Sequence, residues 1–506
     1  MRRQLDKLPT AAALAIIFGL LATLGTAPID LKLPALAGLA GIFWLATHSR
    51  PGRAFFLGWL WAFAHFCSGI YWIYISTHTY GGAPAWLGLL LLTVLHGYEA
   101  LYAGLSMAVL SWVVQRKPAL LVLAAPAAFA LAEWLSVQVM LAFPWLSEGY
   151  LALDTPLARL APLIGLHGLV LVWATLAAAA LALVLSRGRD VLAWSALAVI
   201  ALLVVITPAA LSWTKDSAAP LTTAIIQGQG EIRMNEKWKP ANRALLVERF
   251  RDMTLQAQDA QLIVWPEGPL PATYEALRPY YLAELDSVLK PKGAVLFAGV
   301  LKETDDGKGV YNSVMLHGAG SGRYDKRHLV PFGEFFPIPD WLRPIMDVLD
   351  TPYSDFAFGA PKQPLLQAFG QPIFANICFE DVFADEFRRR AQGASLLVNL
   401  TNDSWFGAGL APHQHLAISR MRALENGRWF IRSTNSGISA LIAPDGRVAE
   451  QTTALYSVAL LRGSVTPRSG VTPYQRFGDA LAAGLAGLML LISLLLALRA
   501  KTLQVA

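Results

Sequence analysis

The chain has 506 residues, 55% of them hydrophobic, and a mean hydropathy of +0.45, which is too apolar for an ordinary soluble protein. A net charge of +6 and a pI near 9.2 invite a nucleic-acid reading, but residues 214–476 carry 28 Lys/Arg against 27 Asp/Glu. The basic excess lies in short breaks between apolar runs and at the chain ends, a membrane-topology pattern rather than a nucleic-acid footprint.

In chain order, apolar segments predict membrane spans at roughly 10–26, 33–48, 54–76, 84–113, 119–140, 162–185 and 191–213, with an eighth at 478–498. Most approach the roughly 20 residues needed to cross the hydrocarbon, the second being short. Arg2, Arg3 and Lys7 precede the first; because further spans follow, it reads as a retained helix and not a cleaved signal peptide. With the N-terminus cytoplasmic, the inside segments hold Arg2, Arg3, Lys7, Arg50, Arg53, Arg116, Lys117, Arg187, Arg189, Arg499 and Lys501, while the outside loops of this region hold only Lys32 and Arg159. That bias places the polar region outside, which in a bacterium is the periplasmic side of the inner membrane. The organisation expected is a membrane domain over 1–213, a polar domain over 214–476 and a last helix with a short cytoplasmic tail over 477–506.

His65, His96, Glu99 and Glu133 fall within the predicted spans, where ionisable groups are costly and face the bundle interior. Two roles stay open for them: structural hydrogen bonding, or lining a substrate path. Trp and Tyr near span ends read as interfacial anchors, and the outside loop from Phe143-Pro144-Trp145-Leu146 to Gly149-Tyr150 is expected on the membrane surface.

From Leu221 the pattern changes to short β-type runs alternating with helical ones. Strands are expected at Leu221–Gln227, Gln261–Trp265, Ala294–Val300, Tyr311–Leu316, Gly322–Asp325, Pro372–Cys378 and Ser395–Leu400, and helices at 241–258, 274–289, 382–392 and 412–426. Ile438–Ile442 and Val448–Glu450 read as a hairpin, and 214–220 and 464–476 as linkers. The alternation implies a layered α/β domain large enough for its own core.

Three stretches carry chemistry. In Asn376-Ile377-Cys378-Phe379-Glu380-Asp381 a strand delivers a thiol to the start of helix-forming residues, where backbone N–H groups are expected to lower its pKa. The other cysteine, Cys67, lies in an apolar run, so Cys378 is either a buried small residue or a nucleophile. In Leu262-Ile263-Val264-Trp265-Pro266-Glu267-Gly268 an apolar strand ends at a carboxylate, a general-base candidate whose pKa desolvation would raise; the plain alternative is a turn glutamate. In Gly322-Arg323-Tyr324-Asp325-Lys326-Arg327-His328-Leu329-Val330-Pro331-Phe332-Gly333-Glu334, Lys326 closes a strand and suits an oxyanion, unless it is only part of a basic turn. His413-x-His415 alone is too weak a pattern for a metal site, and no cofactor or metal is expected.

Taken together, a Glu, a Lys and a Cys at successive strand ends resemble the nitrilase (carbon–nitrogen hydrolase) superfamily. With eight spans around them, Trp-Pro-Glu, Asp-Lys-Arg-His-Leu-Val-Pro-Phe-Gly-Glu and Ile-Cys-Phe-Glu resemble the bacterial apolipoprotein N-acyltransferase family over essentially the whole chain. The resemblance implies an eight-helix α-helical membrane bundle plus an α/β, nitrilase-like α-β-β-α sandwich. It implies Cys378 as nucleophile, Glu267 as general base and Lys326 as oxyanion support. Trp238 matches a tryptophan important in the family. Glu334 and Glu380 match acidic residues needed near the triad, as direct participants or as structural support, and Phe379 stands where some members have Tyr. Asn402-Asp403-Ser404-Trp405-Phe406-Gly407 resembles an active-site loop. The implied donor is a phospholipid, usually phosphatidylethanolamine giving its sn-1 chain; the acceptor is the α-amine of a lipoprotein's diacylglyceryl-cysteine; the protein is a monomer with no nucleic-acid partner. A membrane-tethered hydrolase and a non-catalytic transporter or scaffold are the competing readings.

Overall fold

The computed structural model describes residues 7–139, 142–207, 213–331, 333–335 and 356–500. Arg2, Arg3, Lys501 and Phe332 lie outside them. The chain divides into two compact units: one comprises Met1–Tyr71, Leu89–Ala209 and Thr472–Ala506, the other Trp72–Gly88 and Ala210–Val471.

In the first unit an apolar helix stands at each predicted span. Among the described residues, four helical stretches are long and apolar enough to cross a membrane: Ala85–Arg116, Pro118–Ser136, Pro156–Leu185 and Ala480–Arg499. A fifth arises if Pro51–Gly69 and Trp72–Tyr80, bent by 56°, count as one. Leu8–Thr23, Lys32–Thr47 and Val191–Ile206 have 16 residues each, about 24 Å of helix and short of a ~30 Å hydrocarbon layer. The expected continuous span at 54–76 is corrected: Ile70 leaves helical geometry at φ −126°, ψ 32°, and Trp72–Gly88 groups with the polar unit. Small residues let these helices close on one another. A Cβ on Gly19 would stand 2.2 Å from the Trp61 carbonyl oxygen, and one on Gly38 would stand 2.4 Å from that of Phe18, so larger residues at either point would push helices apart.

The second unit is built on β1 (Thr214–Asp216), β2 (Leu221–Gln227), β3 (Leu262–Val264), β4 (Val295–Glu303), β5 (Val310–Gly318), β6 (Arg323–Asp325), β7 (Leu366–Ala368), β8 (Gln371–Ile377), β9 (Leu396–Thr401), β10 (Phe430–Thr434), β11 (Ala440–Ile442), β12 (Val448–Gln451), β13 (Ala459–Val465) and β14 (Arg468–Gly470). One six-stranded sheet runs β13-β2-β3-β4-β5-β6, the other β12-β11-β10-β9-β8-β7. Their centres, β2-β3-β4 and β8-β9-β10, are parallel, and the outer pairings are antiparallel. Central strands are covered on both faces, which is why Leu262-Ile263-Val264 and Leu396-Leu397-Val398 are buried throughout and read as continuous apolar runs. Phe250, Leu246, Leu282 and Leu285 from helical segments form one core with Ile226, Ile263 and Leu296 of the first sheet. Phe387 and Ala423 do the same with Phe374, Leu397 and Phe430 of the second. The sheets face each other: Thr434 Oγ1 on β10 donates to Gln227 Oε1 on β2 at 3.1 Å. The order is helix, sheet, sheet, helix.

Three sequence expectations are corrected here. The segment 214–220 contains β1, and 464–476 contains the end of β13, β14 and the helix Pro473–Phe477; β1 and β14 pair antiparallel, so neither segment is a free linker. The helix expected at 382–392 is present but shorter, Ala384–Arg390, and a tight turn, Cys378–Val382, precedes it. The strands β7, β10 and β13 were not foreseen; β13, at the edge of its sheet, mixes Arg462 and Ser464 with Leu460, Leu461 and Val465.

Candidate active site

Each of the three chemistry-bearing stretches ends a strand of the second unit. β3 runs through Trp265 and Pro266 to Glu267, which is 8% exposed. A Cβ on Gly299 of β4 would stand 2.0 Å from the Pro266 carbonyl oxygen, so only glycine lets β4 run this close to the Glu267 segment. β6 ends at Asp325, and Lys326, 1% exposed, follows. Its backbone N–H donates to the Asn312 carbonyl at 2.7 Å and its own carbonyl accepts from Gly359, which fixes the side chain's origin on β5.

Lys326 Nζ donates to Glu267 Oε1 at 3.1 Å and to Glu334 Oε1 at 2.8 Å. Asn312 Nδ2 bridges the same two oxygens, at 2.6 Å to Glu267 and 3.1 Å to Glu334. Glu334 Oε2 accepts the Val330 N–H at 2.8 Å, and Asn435 Nδ2 holds the Glu267 carbonyl at 2.6 Å. The ammonium is held well above its ordinary pKa: burial opposes this, but Glu267 and Glu334, with a further contribution from Cys378, outweigh it. Glu334 is nonetheless raised, by burial first and by the Glu267 charge, against the pull of Lys326. One ammonium cannot neutralise two carboxylates in a dry site.

Cys378 follows β8 with φ +52°, in the left-handed region that a side chain rarely adopts and that marks a tightly determined position. Asn399 Nδ2 on the neighbouring β9 donates to its carbonyl at 3.1 Å. The thiol is pushed up, not down: burial acts first, the Glu267 carboxylate adds to it, and Lys326 and the Thr401 hydroxyl pull the other way. The expected thiolate at a helix start is therefore corrected. The turn has only five residues, too little helix for a useful dipole, and at rest the site holds a thiol that feels Glu267 and Lys326.

Glu380 is engaged by donors on two segments. Its carboxylate accepts from Tyr324 OH at 2.6 Å, from the backbone N–H of Arg327 and His328 at 2.9 and 3.1 Å, and from that of Ile377 at 2.8 Å. It ties the Lys326 segment to the Cys378 turn. Phe379 is buried, its ring 5.0 Å from Phe383 and 6.1 Å from His328. Trp238 is 53% exposed. Its neighbour Lys237 is buried, donates to the Gly268 carbonyl at 3.1 Å, and is lowered to about 8 by burial, with Glu267 opposing.

Sequence reasoning missed Asn312, Asn435, Tyr324 and Thr401, ordinary polar residues that matter only once their strands are paired. It also read His415 only as half of a weak metal pattern, whereas both of its ring nitrogens face carboxylates. Of the ionisable groups in the predicted spans, His65 Nδ1 meets Thr23 Oγ1 at 2.9 Å, His96 Nδ1 meets Cys67 Sγ at 3.3 Å, Glu99 accepts the Phe143 N–H at 3.1 Å, and Glu133 accepts the Ser147 hydroxyl.

Two facing sheets with helices outside, and an acid–amine–thiol set at their strand ends, define a carbon–nitrogen hydrolase domain: residues 222–459 match the "Carbon-nitrogen hydrolase" family model. Residues 18–179 match "Apolipoprotein N-acyltransferase N-terminal domain". The curated proteins named apolipoprotein N-acyltransferase include that of Methylococcus capsulatus, 36% identical over 94% of this chain and 94% of its own. That of Azotobacter vinelandii is 39% identical over 94% and 93%, and that of Nitrosomonas europaea 37% over 97% and 98%. The chain belongs to the apolipoprotein N-acyltransferase family. It is an acyltransferase of lipoprotein maturation, with a carbon–nitrogen hydrolase domain that carries out acyl transfer.

Proposed function

We propose that Cys378, Glu267 and Lys326 carry the acyl transfer through a thioester, and that the convergence of Lys326 on Glu267 and Glu334 beside a buried thiol is the observation that supports it most. The Cys378 sulfur attacks the ester carbonyl of a phospholipid and its proton passes to Glu267. Lys326 donates to the developing oxyanion, where a buried ammonium is worth most. The intermediate collapses, the lyso-phospholipid oxygen takes the proton back from Glu267, and an S-acyl enzyme remains. The α-amine of a diacylglyceryl-cysteine then attacks the thioester, Glu267 accepts its proton, and Cys378 leaves as the thiol with that proton. The product is an amide. A raised thiol pKa suits this scheme, since Glu267 is needed as base in both halves.

The donor is phosphatidylethanolamine, giving its sn-1 chain, and the acceptor is an apolipoprotein; both are membrane-anchored, which accounts for the apolar helices. Eight of these helices cross the bacterial inner membrane and hold the domain over 214–476 on the periplasmic side, between a membrane domain over 1–213 and a last helix over 477–506. The protein acts as a monomer. Trp238, exposed beside the site, contacts substrate, while Glu334, Glu380 and Phe379 hold the triad in place.

The test is an intact mass of the detergent-purified protein after incubation with phosphatidylethanolamine and no acceptor. An acyl-sized adduct on wild type, released by neutral hydroxylamine and absent from Cys378→Ala, is the expected result. Lyso-phospholipid without an adduct would mean that water takes the acyl group faster than it accumulates, and the absence of both products would overturn the Cys378 assignment.

A further inference from the structure

Beyond the Cys378 turn lies a buried charged group that the acyl-transfer scheme leaves unused. His415, on the helix Ala411–Asn426, is fully enclosed. Its Nε2 stands 3.0 Å from Asp381 Oδ1 and its Nδ1 2.9 Å from Asp403 Oδ1. A neutral imidazole has one N–H, so one of these contacts would set a lone pair against a carboxylate. Two carboxylates at hydrogen-bond distance therefore require both nitrogens protonated. The pKa is accordingly raised: burial and then Arg432 oppose this, and Asp381 and Asp403 outweigh them.

The remaining oxygens close the network. Ser419 Oγ donates to Asp381 Oδ2 at 2.7 Å, Arg432 Nη2 donates to Asp403 Oδ2 at 2.7 Å, and Arg432 Nη1 donates to Ser419 Oγ at 3.1 Å. Two acids face two cations, so the buried charge balances.

These groups come from separate parts of the fold. Asp381 lies in the turn that begins at Cys378, Asp403 opens the loop after β9, and Arg432 is on β10. Thr401, the last residue of β9, donates its hydroxyl to Asp403 Oδ1 at 3.3 Å; Leu400 pairs with Ile377 in the parallel β8–β9 register, so Thr401 and Cys378 are the next residues side by side, and the hydroxyl acts on the thiol. The loop is also held from its other side: the Trp72 and Phe406 rings are 4.6 Å apart, and Ser76 Oγ donates to the Trp405 carbonyl at 2.8 Å.

We propose that His415 is a positioning residue for the nucleophile: as an imidazolium clamped between Asp381 and Asp403, it locks the Cys378 turn to the Asp403 loop and so sets the thiol against the Thr401 hydroxyl. It acts through Asp381, Asp403 and Thr401 and takes no part in bond making. A network that served stability alone would leave the acylation rate of folded protein untouched. The inference rests on the Cys378 assignment.

The test uses the full chain in detergent, with phosphatidylethanolamine and no acceptor, and follows hydroxylamine-sensitive adduct formation with time. His415→Gln, whose amide is neutral and presents an acceptor oxygen on one side, cannot donate in opposite directions to both carboxylates and should lower the maximal rate by about 10- to 100-fold, the cost of a misplaced reacting group. The half-saturating donor concentration should stay within about two-fold, since donor binding is not involved. Thr401→Val is nearly isosteric and guards against misfolding; it should slow acylation by about 3- to 10-fold, the worth of one hydrogen bond, and Thr401→Ser should restore it. Folded His415→Gln and Thr401→Val that acylate at the wild-type rate overturn the inference alone. So does a His415→Gln that fails only by unfolding while Thr401→Val matches wild type. Wild type that yields neither adduct nor lyso-phospholipid overturns the Cys378 assignment, and this inference with it.

Discussion

Both units bury ionisable side chains, but they bury them in different ways. Among the apolar helices, Glu99 meets a backbone N–H, His96 the Cys67 sulfur and His65 the Thr23 hydroxyl, each with its own local partner. In the α/β unit, Lys326, Glu267, Glu334 and Asn312 contact one another through the same few oxygens, with the Cys378 thiol sensing two of the charges. A buried polar group with one nearby partner resolves a packing problem. Several aimed at the same point, with opposed effects on each other's protonation, make a reactive site.

The comparison breaks most sharply at Cys378. Cys378→Ala should lower transfer to an apolipoprotein acceptor by at least about 10³-fold, as loss of a covalent nucleophile does, with melting behaviour close to wild type; the paired measurements are a transfer assay and a thermal scan.

Glu267 and Lys326 then separate charge from chemistry. Glu267→Gln should cost about 10² to 10⁴ in transfer rate, the worth of a general base. Yet it should speed iodoacetamide alkylation of Cys378 at neutral pH, because the Glu267 charge is one of the causes that raise the thiol. Lys326→Met should cost about 10² to 10³ in transfer and slow alkylation, because its charge lowers the thiol pKa. The sign is set by the thiolate: a raised pKa leaves less of it at any pH below that value, so wild-type Cys378 should alkylate more slowly than free cysteine, whose pKa is about 8.5, and gain rate as pH rises. Alkylation slowed by Glu267→Gln would mean that the carboxylate helps to form the thiolate even at rest.

Smaller effects belong to residues that only border the site or lie outside it. Trp238→Ala, at a half-exposed ring, should raise the substrate concentration needed by roughly 3- to 10-fold and leave the rate at saturation alone. Glu99→Gln should leave transfer within about two-fold and lower stability by about 1 kcal/mol, the scale of one hydrogen bond, read from denaturant or thermal unfolding. A large loss of transfer there would make the membrane-helix carboxylate part of the substrate path.

What was legible in the sequence follows from strand physics. Parallel strands covered on both faces are near-continuous apolar runs, so Leu262–Val264 and Leu396–Val398 stood out, and the functional groups of such sheets lie just past strand ends, where Glu267, Lys326 and Cys378 sit. Asn312 and Thr401 were silent because a polar residue inside a strand gains meaning only from the strand opposite it. β1 and β14 join residues at the two extremes of the polar region, Thr214 with Gly470, a pairing no local pattern announces. The thiol's pKa was misjudged because burial and Glu267 outweigh any effect of a five-residue turn.

The break after Gly69 bears on how the enzyme can be dissected. The chain passes from one unit to the other after Tyr71, Gly88, Ala209 and Val471. Excising the polar region between 213 and 471 would therefore strip Trp72 from Phe406 and Gln414, and Ser76 from Trp405. Its architecture is discontinuous, completed by a short insert supplied from between two apolar helices. Dissection of this enzyme calls for grafting residues 72–88 back onto the fragment, because two clean cuts do not yield a whole module.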